Sequence, residues 1–338
     1  MKKYNLITAS LLTLGLTACG AQNTSTTNES TTAQLKSAPG APGAEPFWAY
    51  AGKTGIGTSY EQYQNGQYSD SAATGDVSKV WFSIAKGMIT ETMFGLIHQA
   101  QIKDMQFIVT GKDFTVSEAD DLDVTIDYLH KDAQGRPLSL AYKVTSTDKQ
   151  GRFSLEKHIF TDPDGQTLFV RSVFNTELEG LKAYVSVNPY INNNGLGDFA
   201  KTTEQGLVAW EDDNYLSLQS SSPFKAKTVG FTGESDGINT LKTTQSINTQ
   251  YTNTGDTAGN VSMLAELGEI SANTTFDLAL SFGKTQQQSI KQGEKSLAKG
   301  YQAVLEHYNG KGEALGWEDY LQSLKPLNAM VEQTADNG

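Results

Sequence analysis

Cysteine is almost missing from this sequence: Cys19 is the only one in 338 residues, so neither an intramolecular disulfide nor a cysteine-based zinc site is available. Histidine is nearly as scarce. His98, His130, His158 and His307 lie far apart, with no metal-ligand spacing and no helical HExxH, so we expect no metal and no metal catalysis. Basic residues are outnumbered, 26 against 38 acidic ones. The formal charge of −12 repels nucleic acid and anionic headgroups, whereas a neutral partner such as a glycan is compatible with it. Nucleotide-binding signatures also fail. Gly52-Lys53-Thr54 has Phe47 where a phosphate loop needs its first glycine, and Gly55-Ile56-Gly57 meets Tyr60 where a dinucleotide fingerprint needs its last. No cofactor is expected.

What is present begins with a leader. Lys2 and Lys3 precede an apolar run from Leu6 to Leu16, too short to span a bilayer as a mature helix but right for a signal peptide, residues 1–18. Leu16-Thr17-Ala18-Cys19 resembles the lipobox of bacterial lipoproteins, where cleavage leaves the cysteine lipidated at the new N-terminus. Cys19 is thus the expected lipid attachment site. Gly20, in place of Asp, favours the outer membrane by resemblance to Gram-negative sorting rules. Residues 20–34 are nearly all Ser, Thr, Asn, Gln and Ala, and Ala38-Pro39-Gly40-Ala41-Pro42-Gly43 follows as a stiffer extended piece. Residues 19–46 are expected to be a disordered tether, with the globular part starting at Phe47.

Leu122, Val124, Ile126 and Tyr128 alternate with Asp123, Thr125 and Asp127, the pattern of a half-buried strand. Further alternating runs follow at Leu140 to Val144, Phe153 to Ile159 and Leu168 to Val170, with Gly135, Gly151 and Gly165 between them as turn residues. Later strand-like runs occur at Tyr184 to Val187, Leu207 to Trp210, Tyr215 to Leu218 and Phe276 to Phe282. An all-β, antiparallel two-sheet sandwich over residues 47–283 is expected. After Gly283 the period becomes helical. Ile290, Leu297, Tyr301, Val304, Leu305 and Tyr308 form one stripe and Trp317, Tyr320, Leu321 and Leu324 a second, so two closing helices are expected within residues 284–338.

Several segments, in order, resemble domain N of bacterial glucoamylases and glucodextranases, glycoside hydrolase family 15. They are Ala41 to Trp48, Lys53 to Thr58, Val80 to Glu91, Lys103 to Val109, Thr161 to Gly165, Asn188 to Asp198 and Gly233 to Gly237. The resemblance implies a large antiparallel super-sandwich of the mutarotase-like kind, followed by linker helices. In that family a separate (α/α)6 barrel carries two glutamates that hydrolyse α-glucosidic bonds with inversion. No position here matches that catalytic motif, and the chain ends at Asp336-Asn337-Gly338 where the barrel's first helices are expected. No catalytic residue is therefore assigned. The resemblance implies a non-catalytic domain that supports a glucan-hydrolysing barrel, supplied in cis or in trans. The alternative is a free-standing outer-membrane lipoprotein that binds α-glucan or oligosaccharide. A mutarotase-like enzyme is a third reading, for which no suitable histidine pair is apparent.

Other motifs resolve into ordinary structure. Asp121, Asp123 and Asp127 read as a solvated strand face. Asp162-Pro163-Asp164-Gly165 lacks a calcium loop's closing glutamate, which is Val173 here, and reads as a hairpin turn. Of the four tryptophans, Trp48, Trp81, Trp210 and Trp317, the patterns bury Trp81 and Trp317. Trp210, ahead of the polar turn Glu211-Asp212-Asp213-Asn214, is the candidate sugar contact.

Overall fold

A computed structural model describes residues 34–47, 49–60, 63–64, 67–68, 77–120, 122–312 and 314–324. The expected signal peptide, Cys19, most of the tether, Trp48, Asp121 and residues 325–338 lie outside them. Among the described residues there are twenty strands. The first seven are β1 Gln34–Ser37, β2 Lys53–Thr58, β3 Tyr63–Gln64, β4 Gln67–Tyr68, β5 Val80–Ala85, β6 Met88–Phe94 and β7 Ile102–Thr110. Then come β8 Thr115–Ser117, β9 Leu122–Tyr128, β10 Tyr142–Asp148, β11 Ser154–Thr161, β12 Thr167–Asn175 and β13 Lys182–Pro189. The rest are β14 Phe199–Thr202, β15 Gly206–Glu211, β16 Asn214–Ser220, β17 Ala226–Phe231, β18 Gln250–Asn253, β19 Val261–Glu269 and β20 Thr274–Gly283. Four helices join them: α1 Gly237–Thr244, α2 Gln286–Lys299, α3 Tyr301–Asn309 and α4 Trp317–Ser323. None is long and apolar enough to cross a membrane.

The strands form the expected sandwich. The larger sheet runs β1-β18-β14-β15-β16-β20-β12-β11-β10-β9, and the smaller runs β17-β19-β13-β7-β6-β5-β2 with β8 on β7. Every pairing is antiparallel except β1 with β18. Alternate residues of both sheets point inward, Val144, Leu155, Ile159, Val170 and Leu280 from one and Met105, Phe107, Val185, Val187 and Met263 from the other, forming one continuous core. The hairpins between β9 and β12 are those expected from alternation, with Gly135 and Gly151 in left-handed turns. Asp162–Gly165 is likewise a turn, closed by the Gly165 N–H on the Asp162 carbonyl at 3.2 Å.

Three expectations are corrected. The fold begins before Phe47. β1 pairs with β18, Ala38 is buried in the core, Ser235 Oγ donates to the Pro39 carbonyl at 2.8 Å, and Asn260 Nδ2 donates to Ala44 O at 2.9 Å. The polar, Pro/Gly-rich composition read as a tether is satisfied instead by backbone pairing with residues about two hundred positions away.

The first closing helix is also two, broken at Gly300 into α2 and α3. α2 meets the sheet only in part through its apolar stripe: Leu297 packs, half buried, against the cluster of Phe160 and Phe169, and Ile290 is likewise only half buried. The helix uses Ser289, Gly293 and Ser296, because a side chain at Gly293 collides with Gln219 of β16. Small residues bring the helix axis close to the sheet, a packing that an apolar-periodicity search overlooks. α3 buries Val304 and Tyr308 on Phe160 and Phe169, the outer face of the larger sheet. α4 has no buried residue. Trp317 is half buried, its Nε1 donating to Thr58 O at 2.7 Å, while Tyr320 and Leu324 stay exposed. The turn at Asp162–Gly165 anchors these helices: buried Asp162 accepts from Ser296 Oγ at 2.6 Å and Lys299 Nζ at 2.9 Å.

Candidate functional site

Asn192-Asn193-Asn194-Gly195-Leu196-Gly197-Asp198 follows β13 and turns a corner of the sandwich. Asn192 and Asn193 both hold positive φ, 58° and 59°, conformations that asparagine tolerates better than other side chains. Each amide then ties down a different segment. Asn193 accepts from the Ala100 N–H at 2.9 Å and donates to His98 O at 2.8 Å, fixing the loop before β7. Asn192 accepts from Asn214 Nδ2 at 2.5 Å, and Asn194 donates to Glu211 Oε1 at 2.5 Å. A side chain at Gly197 meets the Glu211 carboxylate and the Asn194 amide, which would have to move aside. Backbone strain concentrated in this way is a feature of functional corners.

Two acidic groups meet there. Asp198 is fully buried, with its Oδ1 accepting only a long 3.3 Å bond from the Ile191 N–H. Its Oδ2 and the Glu211 Oε2 have no hydrogen-bond partner among the described residues. Burial, and next the charge of Glu211, push the Asp198 carboxyl well above the ordinary range. Burial raises Glu211 as well, against the pull of the Asn194 and Asn192 amides.

Beside the corner is an apolar pocket of about 150 Å³, whose lining includes Ala49, Glu91, Met93, Ile97, Ile102 and Tyr190. Glu91 sits at φ 40° and pairs with Lys53 at 2.7 Å. Ile97 lines the pocket and is 50% exposed; Leu96 beside Ile97, Leu196 beside Gly195 and Phe47 beside Pro46 are 56%, 37% and 64% exposed. These are neighbours: the loop carrying Leu96 and Ile97 is the one Asn193 holds, and Gly195 packs against Tyr190 and Pro46. Large apolar side chains gathered on a surface mark a protein contact more often than a solvated face.

The structure places the candidate Trp210 near this corner but on the outer face of the larger sheet. Its ring is stacked between Phe199, at 5.5 Å between centroids, and Tyr215, at 6.2 Å, with Lys201 Nζ 5.2 Å from the ring centre. The polar turn after it supplies Glu211 and Asn214 to the corner itself. The histidines stay apart. His158 lies between Glu156 and Tyr301, His130 against Glu318 and His307 against Asp164, so these three share no partner. Among the described residues no cluster of three His, Cys, Asp or Glu side chains is placed to hold a metal ion. No sequence pattern gives Asn192 to Asp198 a site role, although three asparagines before a glycine signal left-handed backbone.

Residues 38–322 match the family described as glucodextranase, domain N. Over 302 residues the chain is 32% identical to a glucoamylase of Clostridium sp. (strain G0005), covering 86% of this chain and 39% of that protein. A solved structure, the crystal structure of a bacterial glucoamylase complexed with acarbose, superposes with a TM-score of 0.74 at 28% identity. That match covers 87% of this chain and 41% of the other. The chain thus spans about two fifths of the length of both relatives.

Proposed function

Because this chain belongs to the glucodextranase domain N family, we propose that it is a non-catalytic module of a glucoamylase-type exo-hydrolase of α-glucans, packing against the (α/α)6 barrel that does the chemistry. One observation carries the reading: the apolar pocket that Ile97 lines, with exposed Leu96 next to Ile97 and exposed Leu196 on the asparagine corner that Asn193 ties to it. A partner that covers those side chains gains about 25 cal/mol for each Å² of apolar surface removed from water. The exposed Tyr320 and Leu324 of the closing segment offer a second contact leading toward the same partner.

The test uses the 338-residue chain mixed with the isolated barrel of a relative. The chain alone is expected to release no glucose from maltotetraose, and to raise the thermal stability of the barrel when the two are combined. Leu96→Asp with Ile97→Asp should weaken that pairing about tenfold or more while leaving the chain's own melting point nearly unchanged, since both side chains are exposed. Glucose release by the purified chain that disappears when one of its own carboxylates is mutated contradicts the reading, as does pairing that the double substitution leaves intact.

We further propose that the mature chain is held at the outer membrane through lipid on Cys19. The leader pattern of Lys2, Lys3 and Leu6 to Leu16 supports this, together with the motif ending at Cys19. Each buried acyl methylene contributes about 0.8 kcal/mol, so two or more chains anchor firmly where one exchanges. Cys19→Ala should move the protein from the membrane to the soluble fraction, and unchanged membrane partition counts against the anchor.

A further inference from the structure

The apolar pocket beside the asparagine corner exists because β6 carries one residue too many. Trp81 of β5 pairs with Met93 and Ser83 with Thr90, so Glu91 and Thr92 together stand opposite Phe82. That is a β-bulge, and it reverses the alternation of the strand: Ile89 before it and Phe94 after it both pack on the core. Strict alternation over these residues would send Met93 into the core and Phe94 to solvent. The bulge instead leaves Met93 half buried in the pocket wall, together with Ala49 and Ile97. Glu91 holds its φ of 40° at this point, a left-handed conformation disfavoured for its side chain, and such strain persists only where the surrounding structure fixes it.

The polar groups of the lining are already engaged. Glu91 pairs with Lys53 at 2.7 Å through Oε2, and its Oε1 is covered by the protein. The carboxylate therefore neither calls for a cation nor offers an acceptor to an entering group. Asn193 accepts from the Ala100 N–H and donates to His98 O, and Tyr190 is engaged within the chain. The His98 side chain is exposed to solvent, so it brings no buried charge that needs a partner. What remains is an apolar hollow walled by Ala49, Met93, Ile97, Ala100 and Ile102. A charged or donor-bearing group is left unpaired there, whereas an apolar group gains by leaving water.

Size narrows the choice further. An apolar cavity of about 150 Å³ takes one benzene ring, and the hollow has that volume. The Met93 thioether adds a favourable sulfur contact to a ring rather than to an aliphatic chain. Aromatic anchors that fill pockets of this kind carry much of the binding energy of protein interfaces.

We infer that this pocket is the receptor for one phenyl-sized apolar side chain of a protein partner, the anchor of the docking surface. That the partner is the barrel rests on the reading proposed above; the receptor itself rests on the bulge, the volume and the engaged polar groups. Toluene is the probe, since it is the side chain of phenylalanine alone. In NMR titrations of the full chain labelled at its methionine methyl groups, the Met93 signal should shift saturably with a dissociation constant on the order of 1 mM. Saturating toluene should also weaken pairing with the barrel. Ala49→Phe, which fills the hollow with a ring of the chain's own, should weaken both toluene binding and barrel pairing about tenfold or more. Ile97→Asp, at an exposed position of the wall, should weaken toluene binding several-fold, which keeps the test sound if Ala49→Phe disturbs the fold. Toluene binding that both substitutions reduce, in a chain that does not pair with the barrel at all, upholds the receptor and counts against the barrel alone. No saturable toluene binding, binding untouched by both substitutions, barrel pairing indifferent to saturating toluene, or tighter binding of benzylamine, whose charge only Glu91 could select, overturns the proposal.

Discussion

Glu118→Ala is expected to destabilise the sandwich by about 3–5 kcal/mol, the range for breaking a fully buried ion pair by removing one partner. Lys157 occupies an inward position of β11 between Leu155 and Ile159 and is completely buried. Its ammonium pairs with Glu118 Oε1 and donates to Gly87 O at 2.5 Å. Glu118 in turn accepts from the Phe107 N–H at 2.9 Å and Ser146 Oγ at 3.2 Å, so the pair joins the two sheets across the core. Alanine strands the ammonium and an amide together.

The pH dependence follows from Lys157. Burial lowers its pKa, only partly opposed by the charge of Glu118. A lysine depressed on folding binds fewer protons in the folded than in the unfolded state, so its contribution to stability rises with pH up to the unfolded value of about 10.4. Removing Glu118 deepens the depression. The deficit of the variant in denaturant titrations should therefore be large at neutral pH and shrink as pH approaches 10. Glu118→Gln combined with Lys157→Met, which keeps an acceptor for Phe107, should recover most of the loss. A single-variant cost under about 1 kcal/mol contradicts the inter-sheet role.

That pair marks where sequence reading stops. Alternation made β9 to β12 legible, because each inward residue needs only its own strand's period to declare itself. Lys157 breaks the pattern, and its reason, Glu118, lies 39 positions away on the facing sheet. The same limit explains residues 34–46, whose backbone partners lie in β18 and around Thr232 and Asn260. Small-residue packing by Ser289, Gly293 and Ser296 left no hydrophobic signature either. The site shows a finer version of this. The segments carrying the family resemblance included Val80 to Glu91 and Asn188 to Asp198, so much of the site was in view as residues. What was not visible is that a bulge at Glu91 opens the apolar pocket while the corner assembles Asp198 with Glu211. Trp210, the candidate sugar contact, stands on the outer face of the larger sheet with its ring between Phe199 and Tyr215.

Asp198→Asn is expected to stabilise the chain at neutral pH by about 1–3 kcal/mol, an unusual direction for a change at a fully buried position. The wild-type carboxyl has one long bond, from the Ile191 N–H at 3.3 Å, and faces the charge of Glu211. Its raised pKa means that the folded state holds a proton which the unfolded state has released. Stability accordingly falls as pH rises from the ordinary carboxylate value of about 3.9 through the raised one, and the penalty persists at neutral pH. Asparagine has no such proton. Its oxygen still accepts from Ile191, and its amide brings no charge to face that of Glu211. The gain should be full near pH 7 and vanish below the ordinary carboxylate range, where the wild-type group is protonated in both states. A gain that does not change with pH, or a loss at neutral pH, shows that the carboxyl is compensated and refutes the argument.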